Sequence, residues 1–321
     1  MERRVFLGVT AGAVLHAAFG KMSVLAATET TEAAVELPFK ISLAEWSLHK
    51  RLFGTEEPVM VNLDFPGKAR EYGIDAIEYV NGFFMDKARD EKYLVELKKR
   101  ADDNDVRSLL IMCDGEGSLG NPDEGKRKLA VENHYKWVEA AKFLGCHSIR
   151  VNAHSEGSAD EQKKLAVDGL SRLSEYAEKY KLNVIVENHW GLSSQPEWLT
   201  GVIKEVGKGN CGTLPDFGNF PEEVDKYEAV AAMMPFAKGV SAKSYAFDEN
   251  GQETKIDYPR MMDIVLKSGY KGYVGIEFEG SEISEEEGIL ATKRLLEKIR
   301  TERQARLDLS SAYRDGLKSS K

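Results

Sequence analysis

Alternation of eight short apolar segments with eight longer amphipathic ones predicts an α/β fold, a (β/α)8 TIM barrel. Three observations carry that expectation. The two kinds of segment alternate from Lys40 to about Arg303, which implies a parallel sheet with right-handed crossovers. The strand candidates number about eight, as a closed barrel requires. Polar residues gather at the end of nearly every one, as around a single barrel mouth. A doubly wound open sheet would concentrate them at its switch point, and no Gly-rich dinucleotide loop follows the first strand.

In chain order, strands are expected at 41–47, 76–80, 108–113, 148–152, 183–187, 212–216, 239–243 and 273–278. The first helix, 62–72, starts at Asn62, a capping residue, and stops at Gly73. The next, 90–104, is rich in Lys, Glu and Leu. Helix 123–144 follows Pro122 and ends at Gly145. Helix 159–180 repeats Leu165, Leu170, Leu173, Tyr176 and Ala177 at helical spacing. Helices 195–206, 222–234, 258–267 and 284–303 complete the set.

The flanks differ from this catalytic barrel at 40–303. Residues 1–27 carry Arg3 and Arg4 before Phe6 and Leu7, a short Gly/Ala-rich apolar run, then Ala26 and Ala27 as a cleavage site. The pattern resembles a twin-arginine signal and implies export, to the periplasm, of a folded chain. Residues 28–39 read as a linker and 304–321 as a polar tail that frays. The 321 residues are 42% hydrophobic and 30% charged, with a formal net charge of -9. That charge argues against nucleic acid as the main partner, and no run in the mature chain is apolar enough for a membrane span. Cys113, Cys146 and Cys211 form neither a disulfide framework nor a CxxC pair. A homo-oligomer is compatible with the sequence.

The strand ends carry the chemistry. They bear Glu45, Trp46 and His49; Glu78 and Asn81; Asp114 and Glu116; Asn152 and His154; Glu187, Asn188 and His189; Asp216 and Asn219; Ser241, Lys243 and Ser244; Glu277 and Glu279. Glu187 follows Val184, Ile185 and Val186, and Glu277 follows Val274 and Ile276. Unpaired charges in such surroundings are costly, and a divalent cation is the expected compensator. Oxygen donors favour Mg²⁺ or Mn²⁺; an imidazole among the ligands would favour Mn²⁺, Co²⁺ or Zn²⁺.

Three segments are similar to strand motifs of the sugar phosphate isomerase/epimerase superfamily, the xylose isomerase-like TIM barrels: Ile-Val-Glu-Asn-His at 185–189, Leu-Pro-Asp-Phe-Gly-Asn at 214–219, and Gly-Tyr-Lys-Gly-Tyr-Val-Gly-Ile-Glu-Phe-Glu-Gly at 269–280. The resemblance implies a metal held by Glu187, Asp216 and Glu277. Ser241 stands where the family places a histidine, which leaves water, His189 or nothing as a fourth ligand; Lys243 is kept. It further implies proton removal beside a carbonyl, with Glu187 and Glu277 as base and acid and Lys243 opposing the developing charge. His49, His154, His189 and Asn219 would bind a sugar, and Trp46 and Phe217 would stack on it. The expected activity is isomerisation or epimerisation of a free sugar, keto-sugar or related polyol. A keto-sugar lyase or hydratase using the same enolisation is the alternative, and a non-catalytic sugar-binding barrel the second.

Overall fold

The computed structural model describes residues 37–319. The expected signal at 1–27, and the linker through 36, lie outside the described residues. The strands are β1 Lys40–Ala44, β2 Ala76–Val80, β3 Arg107–Met112, β4 Ser148–Val151, β5 Asn183–Glu187, β6 Cys211–Leu214, β7 Val240–Ser244 and β8 Tyr273–Phe278. Their order is β6-β5-β4-β3-β2-β1-β8-β7, and every ladder is parallel. The two ends of that order meet. Single bridges Thr213↔Ala237 and Asp216↔Ser241 join β6 to β7, where Ser241 N–H donates to the Pro215 carbonyl at 2.9 Å and Phe217 N–H to that of Ser241 at 3.1 Å. The sheet is a (β/α)8 barrel, as the alternation predicts.

Side-chain alternation sorts the strands. Val184, Val186, Val240, Ala242, Val274 and Ile276 join the main core between strands and helices. Ala44, Val80, Leu110, Met112, Ile185 and Leu214 make a separate small cluster, the apolar plug of the barrel. Polar Ser42, Glu78, Arg150, Glu187, Ser241, Lys243 and Glu277 sit at other inward positions, all buried. Gly275 keeps room among them: a Cβ there would lie 2.5 Å from Glu78 Oε1.

Helix caps follow the sequence. Asp90, Asp123 and Ser158 each accept a backbone N–H of the first turn, and Gly145 closes its helix at φ 86°. Three departures have physical causes. The strand expected to reach Ser47 ends at Ala44, because Glu45 turns inward and accepts from Asn62 Nδ2 at 2.7 Å and Val80 N–H at 2.9 Å. Asn62 is thereby occupied: it accepts the Tyr93 hydroxyl at 2.8 Å and does not cap the helix Phe65–Glu71. The tail expected to fray continues the last helix, Glu285–Ser319; Gln304, Ala305 and Arg306 are good helix formers and no proline interrupts them.

Candidate active site

The C-terminal ends of β5, β7 and β8, with the turn after β6, build one buried cluster. Ligand atoms of Glu187, Asp216 and Glu277 lie within 4.8 Å of one another. Asp216 Oδ1 accepts the backbone N–H groups of Gly218 (2.8 Å) and Asn219 (2.7 Å), which fixes the carboxylate in its turn. Its Oδ2 lies 2.7 Å from the Ser241 hydroxyl, and that hydroxyl lies 2.9 Å from Glu277 Oε2. Lys243 Nζ is 2.7 Å from Glu277 Oε1, 3.2 Å from Glu279 Oε2 and 4.0 Å from Asp216 Oδ2. On the other side Arg150 Nε is 2.7 Å from Glu187 Oε2, and Arg150 Nη1 is 2.9 Å from Asp114 Oδ1.

The cluster's compensation is partly internal, which corrects the expectation that a metal alone balances these carboxylates. Arg150, unremarked in the sequence reading, is the missed residue. Its signal was an arginine between Ile149 and Val151 in a strand, where a buried cation must find a partner. Burial pushes Glu187 up to about 8 against the pull of Arg150, and Asp216 up to about 6 against Lys243. Burial also opposes ionisation of Glu277, but Lys243, Arg150 and the Ser241 hydroxyl outweigh it and hold that carboxyl below its ordinary value. Despite burial, its carboxylate neighbours keep Lys243 charged.

The cluster still fits a hard cation. Among the described residues, Asp114, Glu187, Asp216, Glu277 and Glu279 share Arg150 and Lys243 as their close cations. Glu187 Oε2 makes no hydrogen bond, because the Arg150 Nε–H is not directed at it. The Ser241 hydroxyl has one hydrogen and two carboxylate oxygens against it, so one contact needs a shared proton or cation. The donors near one another are all oxygens, the set that suits Mg²⁺ or Mn²⁺. His189 is not among them; its Nδ1 lies 3.0 Å from Asn152 Oδ1.

Above the cluster opens a cavity of about 850 Å³. The triad does not line it; Asn219, Glu279, His189 and Tyr245 form its polar side. Asn219 Nδ2 donates to Glu187 Oε1 at 3.0 Å, roofing that carboxylate. Burial, and behind it Arg150, pushes His189 down to about 4, so the ring is neutral. With Nδ1–H donating to Asn152, Nε2 carries the lone pair. His189 and Asn219 are thus brought to the cavity. Trp46, His49 and His154 are not among its lining residues. Trp46 donates its indole N–H to Glu279 and stacks on His49 at 5.0 Å, whose Nδ1 is 2.8 Å from the Trp46 carbonyl. His154 is exposed, with Nε2 3.4 Å from the His189 carbonyl. Phe217, expected to stack on a sugar, is fully buried edge-on to Tyr258.

A model of the xylose isomerase-like TIM barrel matches residues 66–299. The chain belongs to that family. Solved structures of similar fold include a D-tagatose 3-epimerase-like protein (TM-score 0.67, 20% identity, 84% of this chain and 100% of that one). The IolI protein with a bound zinc atom follows at TM-score 0.64 and 17% identity, covering 82% of this chain and 99% of that one. The 3-keto-D-glucoside 4-epimerase YcjR of E. coli gives 0.62 and 17%, over 82% and 99%. Others include an L-ribulose 3-epimerase, a probable 3-DHS dehydratase and a magnesium complex of a Mycobacterium smegmatis barrel. A 48-residue stretch is 46% identical to the C-glycoside deglycosidase alpha subunit of Arthrobacter globiformis, 15% of this chain and 14% of that relative's length.

Proposed function

We propose that the chain is a metal-assisted isomerase or epimerase that removes a proton from the carbon beside the carbonyl of a keto-sugar and returns it to give the isomer or epimer. The observation that carries this reading is the convergence of Glu187, Asp216 and Glu277 beneath a polar-sided cavity. These three residues would hold Mn²⁺ or Mg²⁺, which supplies Lewis acidity toward the substrate's carbonyl oxygen. Glu187 and Glu277 come from β5 and β8, either side of the β6–β7 junction, and serve as the proton-transferring pair. A sugar hydroxyl reaches Glu187 by replacing the Asn219 amide on Oε1. Lys243, charged beside Glu277 and Glu279, opposes negative charge as it develops. Neutral His189 offers Nε2 to a hydroxyl.

The test is proton exchange in D₂O with a panel of keto-sugars and excess Mn²⁺. Wild type takes up deuterium beside the carbonyl, and Glu187→Gln or Glu277→Gln lowers turnover by about 10²–10⁴-fold. Turnover of an identified substrate with neither exchange nor a primary isotope effect would end this reading. A second reading is elimination after the same proton removal, in keeping with the fold shared with a probable 3-DHS dehydratase; an unsaturated product distinguishes it. Export rests on Arg3 and Arg4: a reporter carrying residues 1–35 should stay inside when both become lysine.

A further inference from the structure

The cavity is larger than a single sugar ring needs. At about 850 Å³ it lies high in the range of roughly 300–1,000 Å³ that accommodates drug-sized ligands. Its lining is also divided. His189, Asn219 and Glu279 make the polar side over the carboxylate cluster, whereas Trp190, Leu192 and Phe220 supply apolar surface.

Trp190 is the informative residue. It is 69% exposed, so its indole gains little from the core. Its backbone nonetheless sits at φ 71°, ψ 154°, a region that is nearly glycine's alone and strained for a bulky side chain. The strain is held in place from behind. His189 N–H donates to Ser193 Oγ at 3.0 Å, and Ser193 Oγ donates to the Trp190 carbonyl at 2.8 Å, with Ser193 itself buried. The chain therefore keeps an unfavourable conformation whose visible result is an exposed indole at the cavity, tilted against the His189 ring at 5.7 Å. Core packing does not account for it.

We propose that Trp190 is the platform of a second subsite, which holds the aglycone ring of a glycoside while the sugar ring lies over Asn219, His189 and Glu279. The inference rests on the reading of that polar side as the sugar site and names its substrate class: a glycosidically linked sugar rather than a free monosaccharide. The recognised chemistry is a flat ring with an apolar face, aryl or saccharide, joined through the anomeric position. Aromatic faces stack on such groups.

The test is binding, which needs no turnover. Calorimetry with 4-nitrophenyl β-D-glucoside, cellobiose and methyl β-D-glucoside compares an aryl aglycone, a sugar aglycone and almost none. Wild type should bind at least one of the first two tenfold or more tighter than the methyl glycoside, and the preferred one identifies the aglycone. Trp190→Ala should abolish that preference while leaving methyl glucoside binding unchanged, and Trp190→Phe should keep most of it. Equal preference in wild type and Trp190→Ala, or no preference in wild type, overturns the subsite. Trp190→Gly separates a functional from a structural role: relief of strain raises Tm while the preference is lost, and an unchanged or lower Tm overturns the strain argument. Deuterium exchange into a glycoside that bears a ring ketone reports independently on the enolisation reading. Exchange without aglycone preference removes the subsite alone, and preference without exchange removes the enolisation alone.

Discussion

Buried carboxylates stand on both sides of this barrel and are kept there by different means. On the β1–β2 side, Glu45 accepts from the Asn62 amide and the Val80 N–H, and Glu78 is 2.6 Å from the Ser42 hydroxyl. These partners are neutral. Burial wins, pushing Glu45 up to about 8 and Glu78 to about 7. On the β5–β8 side, Glu187, Asp216 and Glu277 crowd together and share Arg150 and Lys243. Burial is as complete, yet Glu277 is held below its ordinary value. Glu187 and Asp216 are raised by burial like Glu45 and Glu78; what sets the β5–β8 side apart is Glu277, which the Lys243 ammonium holds as a charge, and charge is what proton abstraction needs.

Activity should split the two sides most widely. With Mn²⁺ in excess, Glu277→Gln loses about 10²–10⁴-fold in kcat, whereas Glu78→Gln stays within a few-fold of wild type. Equal losses would erase the distinction. Stability comes next. Above about pH 8, where Glu187 is ionised, Arg150→Met leaves it buried without its cation and should cost about 3–5 kcal/mol in denaturant unfolding. Adding Glu187→Gln to that variant should recover most of the loss, because the stranded charge is gone.

The pH dependence of stability sharpens the contrast from the other side. The folded value of Glu78 is raised from 4.5 to about 7, so its proton stabilises the fold. That contribution is complete below about pH 4.5 and lost as pH rises through 7. It amounts to roughly 3 kcal/mol at about 1.36 kcal/mol per pKa unit. Glu78→Gln should flatten the unfolding free energy across that window by about this amount, and an unaltered slope would mean that Glu78 is ionised in the fold. The smallest effect belongs to a neutral partner: Asn62→Ala removes one hydrogen bond to Glu45 and should cost about 1–3 kcal/mol, below the cost of losing Arg150.

The strand candidates were legible in the sequence because each depends on local pattern, apolar runs broken by glycine; Glu187 and Glu277 stand out after Val-Ile-Val and Val-Gly-Ile, while Asp216 enters through the Leu-Pro-Asp-Phe-Gly-Asn motif that the family resemblance singles out. What was not legible depends on partners far apart in the chain. Ser241 reads as a lost ligand; in the fold its hydroxyl bridges Asp216 and Glu277. Glu116 looks like a site residue, but its Oε1 is 2.6 Å from the Trp137 indole and 2.8 Å from Lys136. Arg150 lies inside a strand rather than at its end, and its pairing with both Asp114 and Glu187 appears only when β3, β4 and β5 lie side by side.

The junction of β6 and β7 gives the site a mechanical role. Seven neighbouring pairs of staves in this barrel are joined by registered ladders; the eighth is drawn shut by isolated bridges, one of them Asp216↔Ser241. The side chains of the same two residues touch at 2.7 Å, so the clasp of the hoop and the chemistry share their parts. A ligand that grips Asp216 and Glu277 tightens the hoop at its loosest joint, and a ligand that binds only the folded state stabilises it by mass action. Occupancy should then be felt as slowed exchange of the Phe217 and Ser241 amides, while the joint between β2 and β3 across the barrel does not register it.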